Sequence, residues 1–293
     1  MSELFHLHDA SLKRYNTLGI SAVAAHLYLP FSQDALKEAI LITQDKKRII
    51  LGNGSNILLA KEYYDDTYAF IISSYADALH ISENEMIAEA GVSLQRLSWF
   101  CIEQGISGFE FAEDIPGTIG GALISNAGQF EYTIGMYVTW IDVYLPLFDR
   151  FERIIPDPDF FGYRRSKLEE MQAIVLACGL RMPRENALES LDKVLEYKRE
   201  RYRKQPRNHP NAGSVFKRPT KGDETHYVWK LFEEAGLRGF RIGDAEVSAK
   251  HPGFIVNHGN ATQQDMMALV QECQKRVKER FAIDLQLEWK IIE

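Results

Sequence analysis

Residues 107–128 constrain the fold of this chain most, because small residues dominate the stretch. Its sequence is S-G-F-E-F-A-E-D-I-P-G-T-I-G-G-A-L-I-S-N-A-G, with glycine at 108, 117, 120, 121 and 128. Glycine adopts positive φ angles and lets backbone N–H groups approach a ligand closely. Such a stretch forms either a turn between two packed elements or a concave site for an anion, most often a phosphate.

A second glycine loop, residues 52–56 (G-N-G-S-N), stands between two short apolar segments predicted as strands. It is not a P-loop, because no Gly-Lys-Ser/Thr follows. Nor is it the dinucleotide fingerprint G-x-G-x-x-G, since position 57 is isoleucine. A hairpin turn and a phosphate cradle both remain open for this loop. The presence of two such loops in one half of the chain favours a cradle.

Composition excludes several classes of protein. The 293 residues include 34 Lys and Arg against 41 Asp and Glu, so the net charge of −7 argues against a general nucleic-acid binder. Three distant cysteines without a C-x-x-C pair indicate neither a disulfide framework nor a zinc site. The sequence shows no apolar stretch near the ~20 residues of a membrane span and no signal-peptide core. We therefore expect a cytoplasmic protein that binds neither nucleic acid nor membrane.

The hydrophobic pattern predicts a mixed α+β fold. Serines at 32 and 93 and the T-x-x-D motif at 262–265 are typical helix starts, and another helix is predicted from about residue 187. Residues 211–216 are predicted as a small-residue turn. Apolar segments predict strands at 48–51, 57–59, 69–73, 86–89, 137–145, 173–180, 254–256 and 285–292.

A domain boundary is predicted at residues 183–186, which are proline-containing and polar. Beyond it, residues 198–207 (K-R-E-R-Y-R-K-Q-P-R) carry six cations. This run is typical of a solvated helix face, and it is equally typical of a patch that attracts an anionic ligand. The sequence leaves the two interpretations open.

Taken together, the motifs resemble those of the UDP-N-acetylenolpyruvoylglucosamine reductase (MurB) family. The resemblance covers nearly the whole chain, and it depends on the order and spacing of several motifs that are individually modest. They are L-G-N-G-S-N at 51–56, I-P-G-T-I-G-G-A…N-A-G at 115–128, F-G-Y-R-R-S at 161–166, N-A-G-S-V-F-K at 211–217, V-S-A-K-H-P-G-F-I-V-N at 247–257 and L-E-W-K-I-I at 287–292.

The resemblance implies a vanillyl-alcohol-oxidase-type (PCMH-type) FAD-binding region of two subdomains at 1–183, split near 60–65, and a C-terminal α+β substrate domain at 184–293. It also implies that FAD is held without a covalent bond, by the two glycine loops. The residues expected to bind FAD are Gly52, Asn53, Gly54, Ser55, Asn56, Ile57, Pro116, Gly117, Thr118, Gly120, Gly121, Asn126, Ala127 and Gly128.

The activity that the resemblance implies is reduction of UDP-N-acetylglucosamine enolpyruvate to UDP-N-acetylmuramate, a step of peptidoglycan synthesis. NADPH would be the hydride donor, the flavin would pass hydride to C3 of the enolpyruvyl group, and a proton would be added at C2. By match to the family motifs, Arg164 would stabilise the enolate, Ser214 would donate the proton and Glu288 would assist.

Substrate contacts are expected at Tyr163, Lys217 and Arg203, with the basic run suited to the UDP diphosphate. The length of the chain suggests the family form that lacks an inserted substrate loop, and we expect a monomer. Three positions depart from the family pattern: Asp114, Ser125 and Arg218. Asp114 would repel a phosphate if it pointed into the flavin loop, so we expect it to point to solvent.

Two other functions are compatible with such a fold. One is a flavin oxidase of a small alcohol or sugar, which often tethers FAD covalently through histidine or cysteine; no histidine lies near either glycine loop in the sequence. The other is a UDP-sugar or nucleotide-binding protein without catalysis, against which the joint presence of Arg164, Ser214 and Glu288 argues.

Overall fold

The computed structural model describes residues 3–183 and 187–293, so part of the predicted 183–186 boundary lies outside the described residues. The chain divides into two compact units that are discontinuous in sequence. The predicted domain division at 183/184 is based on family resemblance, whereas these units are defined by contacts within the chain. The division at 183/184 therefore stays a prediction. Unit 1 comprises Met1–Ala10, Ala25–Asn53 and Asp65–Arg201, and unit 2 comprises Ser11–Ala24, Gly54–Tyr64 and Tyr202–Glu293.

Short strands outnumber helices, which confirms the predicted α+β class. The strands are β1 (Leu4–Ser11), β2 (Val23–Pro30), β3 (Lys47–Leu51), β4 (Ile57–Leu59), β5 (Tyr63–Tyr64), β6 (Tyr68–Ile72), β7 (Leu79–Ser82), β8 (Glu85–Glu89), β9 (Gly128–Gln129), β10 (Tyr132–Thr133), β11 (Val138–Leu145), β12 (Arg150–Ile154), β13 (Phe161–Gly162), β14 (Arg165–Ser166), β15 (Ile174–Leu180), β16 (Asn211–Ser214), β17 (Thr220–Lys221), β18 (Glu224–Thr225), β19 (Arg241–Ile242), β20 (Ala245–Val247), β21 (Phe254–Asn257) and β22 (Lys290–Ile292).

The helices are α1 (Gln33–Ile42), α2 (Leu94–Glu103), α3 (Ile119–Ser125), α4 (Lys167–Glu170), α5 (Ala187–Lys204), α6 (Val228–Glu234) and α7 (Gln263–Phe281). The four predicted helices, α1, α2, α5 and α7, begin close to the predicted positions, whereas α3, α4 and α6 were not predicted. As predicted, Ser32 and Ser93 cap α1 and α2 by accepting hydrogen bonds from backbone N–H groups three residues later. Among the described helices, none has the length and apolar character that crossing a membrane requires.

The two larger sheets of unit 1 have a helix between them. One sheet has the order β1-β2-β6-β3, and the other has the order β12-β11-β15-β8-β7. Leu36 and Ile40 of α1 pack in one buried cluster with Ile71 of the first sheet and with Tyr144 and Leu176 of the second. Burial of these apolar surfaces fixes both sheets around α1.

Helix α5 is tied to unit 1 through buried acidic residues of the glycine-rich stretch. Ser190 donates to the carboxylate of Glu110 (2.6 Å), and Lys198 donates to that of Glu113 (2.5 Å). The side chain of Glu113 is fully buried, so it requires a charged partner. The first cation of the basic run therefore pairs with a buried carboxylate, although 44% of its side chain remains exposed.

Unit 2 is built on the sheet β16-β21-β20-β19, against which α7 packs. Thr262 and Asp265 form the predicted capping box at the start of α7. The apolar stripe of α7 is buried, as expected for a core-facing helix, and comprises Met266, Leu269, Val270, Cys273 and Val277.

Two predicted elements of unit 2 are wrong in extent. The predicted turn at 211–216 is instead strand β16 over most of its length, because Asn211 pairs with Val256 and Ser214 with Phe254. The predicted strand at 285–292 is reduced to β22, since Leu287 forms only an isolated bridge with Phe216. In both places, pairing across the sheet decides the structure, and local composition does not.

Gly54 illustrates a glycine required by packing as well as by its backbone angle. Its φ is +58°, and a Cβ there would lie 2.0 Å from the carbonyl oxygen of Tyr15. Gly105 has a similar φ of +66°, but a Cβ there would meet nothing within 4 Å. A side chain at Gly105 would therefore cause backbone strain alone, whereas one at Gly54 would also cause a steric clash.

We predict that Gly105→Ala lowers the free energy of unfolding by about 1–2 kcal/mol, the cost of a left-handed residue with a side chain. Gly54→Ala should cost more, about 3 kcal/mol or above, because the 2.0 Å approach also forces the backbone to move. Denaturant unfolding of both variants measures this difference. Equal losses at the two positions would contradict the packing role of Gly54.

Candidate active site

Within unit 1, Gly52 of the shorter glycine loop lies against Thr118 of the longer glycine-rich stretch. A Cβ on Gly52 would lie 2.2 Å from the Thr118 hydroxyl oxygen, and a Cβ on Gly121 would lie 3.9 Å from it. That hydroxyl oxygen is buried and has no hydrogen-bond partner in the described part of the chain. Because buried polar atoms are nearly always satisfied, an orphaned hydroxyl between two glycines is suited to a bound polar group. These residues fit a cofactor phosphate.

The backbone of the glycine-rich stretch is already partly engaged by protein. The N–H groups of Ile119 and Gly120 donate to the carbonyls of Val92 and Ala90, at 2.8 and 2.9 Å. A Cβ on Gly120 would also lie 3.2 Å from the Cβ of Ala90, so this glycine allows α3 to pack closely. A ligand here must therefore use other donors than these two N–H groups.

Arg164 lies in a two-residue turn between β13 and β14, with Tyr163 beside it. Its φ is +52°, a left-handed value that costs a non-glycine residue about 1–3 kcal/mol. The guanidinium donates from Nη2 to the carbonyl oxygen of Gly128 (2.8 Å), and its carbon lies 5.6 Å from the exposed Tyr163 ring. Strained backbone conformations cluster at functional sites, and here the strained residue carries a guanidinium whose orientation is fixed by a hydrogen bond.

The turn that carries Arg164 is fixed to the end of α3. The side-chain amide of Asn126 donates to the carbonyl of Gly162 (2.9 Å) and accepts from the N–H of Gly135 (3.1 Å). Ser166 donates to the carbonyl of Ile124 (2.8 Å). Asn126, predicted to bind the cofactor, thus uses both ends of its amide to hold the hairpin.

Asp114 does not point to solvent, and that expectation was wrong. Only 8% of its side chain is exposed, and its carboxylate lies 3.2 Å from Nε of Arg201. Arg201 also donates to the side-chain carbonyl of Gln129 (2.5 Å). The carboxylate of Asp114 therefore partly neutralises a buried guanidinium from α5, which explains why it is tolerated in this stretch.

Arg201 is a functional candidate that the sequence did not single out. Burial, followed by the positive charge of Arg164, lowers its pKa to about 10. Two guanidiniums therefore share one region of unit 1, with one nearby carboxylate. The basic run at 198–207 indicated a possible site for an anion. With six cations in ten residues, however, the sequence did not indicate which side chain is buried.

The remaining predicted residues of this stretch have structural surroundings. Gly117 accepts a hydrogen bond from the N–H of Leu94, and Ala127 accepts one from Ile134. Pro116 is exposed. A Cβ on Gly128 would lie 2.1 Å from the carbonyl oxygen of Tyr132, so glycine is required for the β9–β10 pairing.

In unit 2, Ser214 ends β16 with its hydroxyl on an exposed residue. The preceding Gly213 has a φ of +73°, and its N–H donates to the Asn211 side chain (3.2 Å). Trp289 fixes the same strand by donating to the carbonyl of Ala212 (2.8 Å). The sequence N-A-G-S thus presents a hydroxyl from a braced strand end.

Glu288 lies next to this strand end. Its N–H donates to the carbonyl of Val215 (2.8 Å), and its own carbonyl accepts from the side chain of Asn56 (3.0 Å). The N–H of Lys217 donates to Gln286 (2.9 Å). Unit 2 therefore brings the segments that carry Ser214, Lys217, Glu288 and Asn56 together.

The other predicted residues of unit 2 are less informative. Ile57 is buried at the start of β4, which pairs in parallel with β22. Asn53, at the end of unit 1, is exposed and Ser55 is half-buried. Arg203 is exposed at the end of α5. A nearby groove of about 670 Å³ is lined by Tyr202, Arg207, His209, Ser248 and Lys250, among others.

Each unit carries its own set of chemically useful groups. Unit 1 offers a buried, unsatisfied hydroxyl and the aimed guanidinium of Arg164, groups that suit a phosphate and a developing negative charge. Unit 2 offers the hydroxyl of Ser214 and the carboxylate of Glu288, groups that suit proton transfer.

Family models match most of the chain. A model of the FAD-binding domain matches residues 24–146. A model of the C-terminal domain of UDP-N-acetylenolpyruvoylglucosamine reductase matches residues 205–292. Both matches agree with the fold predicted from the sequence motifs, and the chain is an FAD oxidoreductase.

Full-length relatives and a solved structure give the same result. UDP-N-acetylenolpyruvoylglucosamine reductase from Thermotoga maritima is 36% identical, covering 96% of each chain. The enzyme of the same name from Caldanaerobacter subterraneus is 37% identical, covering 96% of this chain and 91% of its own. The crystal structure of the Thermus caldophilus enzyme superposes with a TM-score of 0.78 at 29% identity, covering 99% of both chains. The chain belongs to the UDP-N-acetylenolpyruvoylglucosamine reductase family.

Proposed function

We propose that this chain reduces UDP-N-acetylglucosamine enolpyruvate to UDP-N-acetylmuramate with NADPH, a step in the synthesis of peptidoglycan precursors. The observation that carries the proposal is the strained Arg164 turn, whose guanidinium is fixed to Gly128 in a chain that belongs to this reductase family. Ser214 and Glu288 stand on adjoining segments of unit 2. NADPH and nucleotide sugars are cytoplasmic metabolites, so we also infer a cytoplasmic enzyme, which we propose acts as a monomer.

FAD, when bound, would supply the redox chemistry that couples oxidation of NADPH to reduction of the enolpyruvyl group at C3. On the protein side, Gly52, Thr118 and Gly121 would hold a phosphate of the cofactor, because the buried Thr118 hydroxyl lacks a protein partner. Except for Asn126, whose side-chain amide holds the Arg164 hairpin, we retain the other residues of both glycine loops as proposed cofactor contacts. The absence of a histidine beside either loop favours non-covalent binding.

Arg164 would stabilise the negative charge that develops when the enolpyruvyl group is attacked. That charge lies next to a carboxylate, so it needs a donor that is already oriented and positively charged. A guanidinium donates in a planar fork that matches a carboxylate or an enolate. The left-handed turn and the bond to Gly128 orient Arg164 before substrate arrives.

Ser214 would donate the proton to C2, with Glu288 assisting. A serine hydroxyl is a weak acid, so its proton must move in concert with the developing charge and with a hydrogen-bonded network. The exposed position of Ser214 at a braced strand end leaves its hydroxyl accessible to substrate. Glu288 lies on the neighbouring segment, because its N–H donates to the carbonyl of Val215, the residue after Ser214.

The nucleotide part of the substrate would contact Tyr163, Lys217 and Arg203. Lys198 and Arg201 of the basic run form ion pairs within the protein, whereas Arg203 is exposed. Arg207 and Lys250 line the 670 Å³ groove of unit 2, so their charges suit a diphosphate.

The direct test is an assay of NADPH oxidation by the purified yellow protein. We expect oxidation that depends on UDP-N-acetylglucosamine enolpyruvate and yields UDP-N-acetylmuramate. Acid denaturation should release FAD. A flavin that remains attached to the denatured chain would indicate an oxidase of the covalent class, and absence of turnover would indicate a binding protein.

We predict that Arg164→Gly slows reoxidation of the reduced flavin by substrate about 10²–10³-fold, the usual effect of removing a preorganised donor. Glycine accepts the φ of +52°, so the turn should persist. Reduction by NADPH should remain near wild type in stopped-flow traces. Arg165→Ala, the exposed neighbour in the same hairpin, is the matched control and should react normally.

We predict that Ser214→Ala slows the substrate half-reaction about 10²–10⁴-fold, the contribution typical of a positioned acid. The variant should still be reduced by NADPH at the normal rate, which serves as its internal control. Stopped-flow absorbance of the flavin separates the two half-reactions. Reoxidation at full rate would show that another group donates the proton.

A further inference from the structure

Three histidines cluster on neighbouring strands of unit 1, apart from every residue proposed above for catalysis. His6 and His8 alternate on β1 and therefore share one face of that strand, and His26 lies on the neighbouring β2. One ring nitrogen from each lies within 4.8 Å of the others. Nδ1 of His26 is 3.0 Å from Nε2 of His6.

The rings are held in place by their neighbours. Nε2 of His26, the nitrogen that faces away from His6, lies 3.2 Å from the carboxylate of Asp66. Tyr28 stacks on His6 with ring centres 4.1 Å apart and an interplanar angle of 7°. His8 packs edge-on against His26, with centres 5.3 Å apart.

We propose that His6, His8 and His26 form a binding site for a late transition-metal cation, with Zn²⁺ as the representative ion. Imidazole is a preferred ligand of Zn²⁺, Cu²⁺ and Ni²⁺, and three protein ligands with one open position make a common zinc geometry. Zinc–nitrogen bonds of about 2.1 Å place tetrahedral ligands about 3.4 Å apart. The observed separations require only small side-chain rotations to reach that distance.

The carboxylate of Asp66 beside His26 distinguishes this cluster from histidines that are close together by chance on a protein surface. Metal-binding histidines usually present their second ring nitrogen to a carboxylate, which sets the tautomer and makes the ligating nitrogen a better donor. Asp66 occupies that place. A metal would replace the hydrogen bond between His6 and His26 and would bridge the edge strand β1 to β2.

One nearby cation opposes the site. Lys46 donates to the backbone carbonyl of Asp66 (2.8 Å), and its charge is partly offset by Asp45 at 3.7 Å. A divalent ion would be repelled by this ammonium group. Removal of the charge of Lys46 should therefore strengthen binding, an effect that no purely structural role of the lysine would produce.

Titration of the FAD-loaded, tag-free protein with Zn²⁺ by calorimetry tests the proposal. We expect one equivalent of Zn²⁺ to bind and to raise the melting temperature, with reversal by a chelator. His8→Gln should abolish this binding. Asp66→Asn should weaken it about 10-fold or more, the usual effect of losing the partner of a ligand, and Lys46→Gln should tighten it.

His80→Gln is the matched control, because His80 is exposed on β7 in the other sheet of unit 1. It should bind Zn²⁺ like wild type. The proposal is overturned if wild type binds no Zn²⁺, or if His8→Gln and wild type bind equally. Because His8 is exposed, its substitution should leave the fold intact, and an unchanged circular dichroism spectrum would confirm this.

Discussion

The side chain of Asn126 supports the geometry on which this account of the reductase depends. It holds the carbonyl of Gly162 and the N–H of Gly135 at once, from a residue in the left-handed conformation at the end of α3. The Arg164 turn is thereby fixed to the same short helix that begins at Thr118. The proposed cofactor contact at Thr118 and the proposed catalytic guanidinium of Arg164 are therefore both attached to α3 within unit 1, and displacement of that helix would disturb both.

Buried charge gives the glycine-rich stretch a second role. Its acidic residues face α5, where Lys198 meets Glu113 and Arg201 meets Asp114. Removal of one partner of such a pair leaves an uncompensated charge, so these pairs specify how α5 docks in unit 1. After burial, the positive charge of Arg164 is the second cause of the lowered pKa of Arg201. The carboxylate of Asp114 lies 3.2 Å from Nε of Arg201, so it also reduces the repulsion between the two guanidiniums.

Local signals in the sequence predicted much of the fold and of the candidate site. Serine caps, the capping box of α7 and the glycine loops depend on neighbours in sequence, so they could be predicted. The burial of Asp114 and the strand at Asn211–Ser214 depend on partners far along the chain, which composition does not specify. The histidine cluster likewise required the pairing of two strands, β1 and β2, that are separated by residues 12–22.

Asn126→Gly tests the central claim most directly, because glycine retains the backbone angle while the clamp is lost. We expect the variant to keep FAD and to be reduced by NADPH at the normal rate. Reoxidation by UDP-N-acetylglucosamine enolpyruvate should be slowed at least about 10-fold, since a misplaced guanidinium stabilises the enolate less well. Loss of FAD with an unchanged reoxidation rate per bound flavin would instead make Asn126 a cofactor ligand and contradict the account.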